Sequence, residues 1–258
     1  MGTETLVLVK LGGSVITDKT TLFSTNWKNL KSLSESLSNF KGKMVIVHGA
    51  GSFGHPLAKY YGLNTTYNQI NPSGITLTRL AVQTLHSDVV FYLEEAGIHA
   101  YSLPPYTFVG PTASFINKTE IFKMINSSGL TPVTFGDVLL HDKGGFVISG
   151  DKLMFLLAKK LRPERVVFIL DVDGVYDTSP NNGNLLKTLP LNFQIKKRKT
   201  KRIDVTGSIM GKINESQKIA NLGIDVFFIN GNKPERVLKA LKGKDVEGTL
   251  IRGRDKTW

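Results

Sequence analysis

Two imidazoles and three glycines fall within eight residues in His48-Gly-Ala-Gly-Ser-Phe-Gly-His55, directly after the apolar run Met44 to Val47. Glycine admits tight and positive-φ turns, so several backbone N–H groups can converge there on one anion. A helix beyond Pro56 (Leu57, Ala58, Tyr60, Tyr61) would add a positively polarised N-terminus. That chemistry is a phosphate cradle with a histidine in it. The same residues would also serve as a plain glycine turn, with His48 closing a strand and His55 capping or preceding a helix. A second loop of the same kind favours the cradle. Lys10 interrupts the β-compatible run Leu6 to Leu11; Gly12, Gly13 and Ser14 follow at once, then Val15-Ile-Thr-Asp-Lys19. A lysine inside a buried strand is unfavourable unless it serves an anion, and two lysines flanking a Gly-Gly-Ser turn suit a polyphosphate.

The elements that must position these loops are legible from periodicity. Apolar runs bounded by glycine or polar turns recur at Leu6 to Val9, Met44 to Val47, Pro132 to Phe135, Val166 to Leu170 and Val226 to Ile229, the pattern of buried parallel strands. Between them, Trp27 to Phe40, Leu77 to Ala96, Leu153 to Leu161 and Ser216 to Leu222 have the spacing of helices packed on a sheet. Strand, helix, strand order with right-handed crossovers predicts an α/β fold, a three-layer α/β/α sandwich with a mainly parallel central sheet. Ligands of such sheets collect beyond the carboxyl ends of the strands, where both glycine loops sit. A soft division falls near residue 165, between residues 1–165 and 166–258, although one continuous sheet would make these a single domain.

Taken together, Lys10-Leu-Gly-Gly-Ser-Val-Ile-Thr-Asp-Lys19 and His48-Gly-Ala-Gly-Ser-Phe-Gly-His55 resemble the amino acid kinase superfamily and, within it, the isopentenyl phosphate kinases. The later segments follow that family's order: Phe135-Gly136-Asp137-Val138, Ile148-Ser149-Gly150-Asp151, Asp171-Val-Asp-Gly-Val-Tyr176, Asp204-Val-Thr-Gly207 with Gly211-Lys212, and Ile229-Asn-Gly231 with Gly248-Thr249. Each later piece is weak alone, but their fixed order spans nearly the whole chain.

The resemblance implies ATP-dependent phosphorylation of isopentenyl phosphate to isopentenyl diphosphate, with dimethylallyl phosphate as a second acceptor and Mg²⁺ accompanying the nucleotide without a dedicated protein cage. The first part of the chain would hold the acceptor and the remainder the nucleotide. Lys10 and Lys212 would approach the transferred phosphoryl from two sides, Lys19 would contact the donor phosphates, and Asp151 would hold the lysines in place. The nucleotide would meet Gly12, Gly13, Ser14, Asp171, Asp173, Gly174, Tyr176, Thr206, Gly207 and Gly211. The acceptor phosphate would meet Ala50, Gly51, Ser52, Gly54, His55, Ser149 and Gly150. His55 separates the branch from relatives that phosphorylate carboxylates, since a donor imidazole beside glycine amides would bind a phosphate dianion and, protonated, relieve developing charge. His48 reads as structural, while His86, His99 and His141 have no assignment and no metal-triad spacing. The apolar tail would lie against Ile75 to Leu85 and Val133 to Phe135, which ordinary core packing explains equally well.

Two departures from the family pattern bear on the donor side: Lys152 stands where a second acidic residue is usual, and Thr178-Ser179-Pro180 replaces Lys-Asp-Pro. Rival readings are another superfamily member (a fosfomycin-type, UMP or glutamate 5-kinase) and, from a different class, a non-catalytic ligand sensor or nucleic-acid-binding protein. The latter would draw on the net charge of +12 and on Lys196-Lys-Arg-Lys-Thr-Lys-Arg202, six cations in seven positions. That run lacks interleaved aromatics and recognition-helix periodicity, so it reads as a solvated loop near the nucleotide. With 258 residues and 41% hydrophobic content the chain suits a compact soluble enzyme. The absence of cysteine excludes disulfides and thiolate chemistry. No apolar run reaches the ~20 residues of a membrane span and no leader pattern opens the chain, so the expectation is a cytoplasmic protein, a homodimer by resemblance to its family.

Overall fold

In a computed structural model, which describes residues 5–64, 71–116, 119–142, 144–194 and 207–254, all five apolar runs are strands. The strands are β1 (Leu6–Leu11), β2 (Lys43–His48), β3 (Ala100–Ser102), β4 (Thr131–Phe135), β5 (Asp137–His141), β6 (Gly144–Ile148), β7 (Arg165–Leu170), β8 (Asp225–Asn230) and β9 (Thr249–Ile251). Seven form one sheet in the order β3-β4-β2-β1-β7-β8-β9, parallel except for the edge strand β9, while β5 and β6 form a separate antiparallel hairpin. β1 pairs with β2 on one side and β7 on the other, with Lys10 opposite Val47 and Phe168. The first glycine loop therefore leaves the middle of the sheet.

The helices are α1 (Gly13–Ile16), α2 (Trp27–Ser38), α3 (Gly51–Tyr60), α4 (Pro72–Glu95), α5 (Thr119–Ser127), α6 (Gly150–Leu161), α7 (Gly207–Ala220) and α8 (Pro234–Leu241). Alternation along the strands divides the core into two layers. Leu8, Val45, Val47, Val166 and Phe168 pack with Phe122 of α5, Leu153 and Leu157 of α6, and Ile213 of α7. Val7, Val9, Leu11, Met44, Ile46, Val167 and Ile169 pack with Leu33 of α2, Leu85 and Val89 of α4, and Val237 of α8. This is the expected α/β/α sandwich. Burial on both faces contributes roughly 1.5–3 kcal/mol per large apolar side chain, which favours apolar residues throughout β1 and β7 and makes the buried Lys10 the exception. The same alternation places Lys10 on the side of Leu8, under α6, and His48 on the side of Ile46, under α4.

Two helix starts differ from expectation. α3 begins at Gly51 and runs through Pro56. Proline removes the N–H that would bond the Ser52 carbonyl, and the Phe23 N–H takes that carbonyl instead, at 3.4 Å. α7 begins at Gly207, well ahead of the expected Ser216, so Gly211 and Lys212 lie inside the helix. Thr206, Asp204 and the basic run Lys196 to Arg202 lie outside the described residues.

Candidate active site

Glycine turns from three strands and a helix start meet in backbone-to-backbone contact above the carboxyl edge of the sheet. A Cβ on Gly13 would stand 2.5 Å from the Gly51 nitrogen, and one on Gly49 would stand 2.7 Å from the Gly13 nitrogen. On Gly12 it would meet the Ile169 carbonyl at 2.6 Å, on Gly136 the Gly150 nitrogen at 3.0 Å, and on Gly150 the Cε of Lys10 at 2.8 Å. The missing side chains let the turns after β1, β2 and β4 and the start of α6 close around the Lys10 side chain. Gly51 adds a positive φ of 49°. Thr17 binds the turns together: its hydroxyl donates to the Gly13 carbonyl at 2.7 Å and accepts the Ser52 N–H at 3.1 Å.

Lys10, with its side chain 5% exposed, pairs with Asp151 Oδ1 at 2.7 Å, and Lys212 reaches Oδ2 of the same carboxylate at 3.6 Å. Burial alone would raise the Asp151 carboxyl, but the two ammonium groups outweigh it and hold the group below the usual aspartate range. Burial lowers the Lys212 ammonium, the charge of Lys10 adds to that, and Asp151 and Asp171 oppose it. Asp171 accepts the Ser14 hydroxyl at 2.8 Å and is paired with Lys19. Two ion-paired groups, Lys10–Asp151–Lys212 and Asp171–Lys19, thus bear on each other through the field of Asp171 at Lys212.

His55 stands in the second turn of α3 and is exposed. The protein around its ring disfavours the imidazolium, Lys10 and Lys212 disfavour it further, and Asp151 only partly compensates, so its pKa lies below the ordinary value. With no anion bound, these surroundings favour the neutral ring. Of the other residues expected near the acceptor, Ser52 donates its N–H to Thr17 and Gly54 donates to the Ala50 carbonyl at 3.1 Å. Gly54 also sits where a Cβ would meet Val82 at 2.7 Å, and Ser149 is the N-cap of α6, accepting the Lys152 N–H at 3.1 Å. Gly54 and Ser149 thus have clear packing and capping roles.

Among the residues expected to meet the nucleotide, Asp173 faces Arg236 at 2.7 Å, Asn230 at 2.9 Å and Lys233 at 3.3 Å. Gly174 lies where a Cβ would meet the Thr249 hydroxyl at 2.5 Å, and Tyr176 bridges Leu185. Gly211 has open space where a Cβ would project. The departures form local structure: the Lys152 ammonium lies 5.4 Å from the centre of the Phe155 ring, and Asp177 organises the turn through Asn184, accepting its N–H at 2.9 Å. Arg79, Lys233 and Arg236 were not signalled by the motifs; Arg79 pairs with the fully buried carboxylate of Asp137 at 3.2 Å. The Phe-Gly-Asp-Val segment marked one half of that pair, while the helix carrying Lys233's neighbour Arg236 had no motif at all.

The profile of the amino acid kinase family matches residues 5–230. The isopentenyl phosphate kinase of Methanothermobacter thermautotrophicus is 35% identical over 96% of this chain and 100% of its own length. The chain belongs to the amino acid kinase family, on its isopentenyl phosphate kinase branch. The Methanocaldococcus jannaschii isopentenyl phosphate kinase is 34% identical over 95% of this chain and 98% of its own. In three dimensions, a crystal structure of the T. acidophilum isopentenyl phosphate kinase product complex superposes with a TM-score of 0.82 at 29% identity, over 96% of this chain and all of that one. The three-layer sandwich is thus the amino acid kinase fold. Its paired lysines and glycine turns stand where the branch pattern was read in the sequence. Among the described residues no helix is long and apolar enough to cross a membrane.

Proposed function

We propose that this protein transfers the γ-phosphoryl group of ATP to isopentenyl phosphate, giving isopentenyl diphosphate and ADP, with dimethylallyl phosphate as a second acceptor. The observation that carries this reading is the sharing of Asp151 by Lys10 and Lys212 beside His55, in a family whose relatives include isopentenyl phosphate kinases. Phosphoryl transfer requires alignment and neutralisation of charge more than covalent help. An oxygen of the acceptor phosphate attacks the γ-phosphorus in line while the bond to the bridging oxygen of ADP breaks, and Lys10 and Lys212 balance the charge on the moving group. Lys19, Ser14 and the Gly12–Gly13 turn hold the donor phosphates; Ala50, Gly51, Gly150 and His55 hold the acceptor phosphate. The dianion raises the His55 pKa, so acceptor binding favours the charged, donating form of the ring.

The division of labour follows the chain, with the acceptor in residues 1–165 and the nucleotide chiefly in residues 166–258, on one sheet. The acceptor's apolar tail would lie between α3, α4 and the β5–β6 hairpin, where Ile75 packs with Leu63 and Val138. Mg²⁺ would come with ATP and neutralise charge between the donor phosphates. Asp151 and Asp171 are already paired with lysines, which suits an ion held by phosphates and water. We read the enzyme as cytoplasmic, where ATP is supplied, and as a homodimer. Support for the dimer is the exposed apolar row Leu77, Leu80 and Phe91 along one side of α4. Incubation with ATP and isopentenyl phosphate followed by ³¹P NMR tests the reaction: the two coupled resonances of a prenyl diphosphate are expected, and ADP formed without them would refute it.

A further inference from the structure

His48, fully buried at the end of β2, donates from Nδ1 to the Gly49 carbonyl at 3.0 Å, and its Nε2 lies 3.0 Å from His86 Nδ1. His86, on α4, continues from Nε2 to the Ser102 hydroxyl at 2.7 Å, at the end of edge strand β3. Phe135 packs on both rings, with centroids 5.4 and 4.4 Å away. With neutral rings, only one proton arrangement satisfies all three contacts. The carbonyl can only accept, so His48 carries its proton on Nδ1 and presents the Nε2 lone pair. His86 must then donate from Nδ1 and accept at Nε2 from the Ser102 O–H. Both rings hold the Nδ1–H form, which is the minor tautomer in water.

The carbonyl at the end of this chain takes no proton, so the chain conducts none. Its effect is geometric. Gly49 C=O and Ala50 N–H belong to one planar trans peptide and point in opposite directions. Gly49 has no side chain with which to resist rotation of that peptide. We infer that the Ser102–His86–His48 relay fixes the Gly49–Ala50 peptide so that the Ala50 N–H faces the acceptor phosphate, which makes His48 and His86 positioning residues for the acceptor. This inference rests on the acceptor-phosphate role given above to the 50–51 turn. Burial, the neighbouring His86 and Lys10 push the His48 pKa down to about 3, and burial lowers His86 to about 4, in keeping with neutral rings at pH 7. Lys10 on β1 and the partner imidazole are the charged or titratable groups bearing on His48.

Steady-state kinetics and ¹⁵N NMR of histidine-labelled full-length protein test the inference. His48→Leu should raise KM for isopentenyl phosphate by about 10- to 100-fold, the loss of one hydrogen bond to a charged group, with KM for ATP within about 2-fold. His48→Asn, whose amide N–H can replace Nδ1–H, should recover most of that loss. Ser102→Ala, at the surface end, should give the same acceptor-selective change in smaller measure, and it serves as the test if His48→Leu does not fold. At pH 7 the NMR spectrum should show Nδ1–H tautomers for His48 and His86. Nε2–H at either ring overturns the relay, and equal loss towards both substrates, or unchanged acceptor KM in a folded His48→Leu, overturns the positioning role. Wild-type protein that ignores isopentenyl phosphate yet shows both Nδ1–H rings would refute the functional reading alone, and the KM comparison then applies to whichever phosphate it accepts.

Discussion

Lys10 and Lys212 hold opposite oxygens of one carboxylate, that of Asp151, at 2.7 and 3.6 Å. Two cations so close would repel each other and neither would be placed without the anion between them. In Asp151→Asn, turnover should fall by about 10²- to 10³-fold. Stability should fall by about 3 kcal/mol because Lys10 loses its partner in a buried site. Rapid-quench kinetics and chemical denaturation read the two effects separately. Wild-type turnover in the variant would remove Asp151 from the account.

Acceptor binding should take up protons. The His55 pKa lies below its ordinary value because the protein around one side of the ring desolvates it and Lys10 and Lys212 add their charges, and a bound phosphate dianion adds the opposite charge and raises it. Calorimetric titration with isopentenyl phosphate at pH 7, in buffers of different ionisation enthalpy, should show uptake that disappears in His55→Ala. The same substitution should lower turnover by at least about 10²-fold. Equal proton uptake in wild type and variant would assign the proton to another group.

Stability should decline in mild acid. His48 and His86 titrate in the folded protein at about 3 and about 4, while unfolded histidine titrates near 6.5. The folded state binds fewer protons between those values, so its full stability is present above about pH 6.5 and is lost progressively as the pH falls towards 4. At pH 5 the two rings account for roughly 2 kcal/mol each. Urea denaturation at pH 7.5 and pH 5 checks this, and His86→Phe should remove about half of the difference.

Gly13→Ala should separate the two phosphate turns, since its Cβ would fall 2.5 Å from the backbone nitrogen of Gly51 and neither backbone can yield alone. A loss of about 1–3 kcal/mol is expected, together with loss of turnover out of proportion to it. Gly211→Ala is the control, having open space at that position, and should be stable and folded.

The buried strands were legible because each is covered on both faces and reads as an unbroken apolar run, and Lys10 was legible as the exception inside one. β3 and β9, each 3 residues at the sheet edges, carry too little pattern to separate from loops. The helix over Gly51–Tyr60 was placed too late because Pro56 reads as a start, and only the fold brings the Phe23 N–H to the carbonyl that proline leaves unpaired. Lys10, Lys19 and the two glycine loops were legible from residue type and spacing, whereas the roles of Lys212, Asp151 and His55 were implied by the family resemblance. The pairing of the lysines through Asp151 and the link from His48 to Ser102 depend on contacts between residues distant in sequence, such as Lys10 with Asp151 and His48 with His86, which periodicity does not encode.

The central claim is tested most directly by ADP release with isopentenyl phosphate, dimethylallyl phosphate, geranyl phosphate, fosfomycin, UMP and glutamate offered one at a time. Isopentenyl phosphate should give the highest kcat/KM, with dimethylallyl phosphate next. A preference for UMP, fosfomycin or glutamate, or ADP release unchanged by every acceptor, would contradict it.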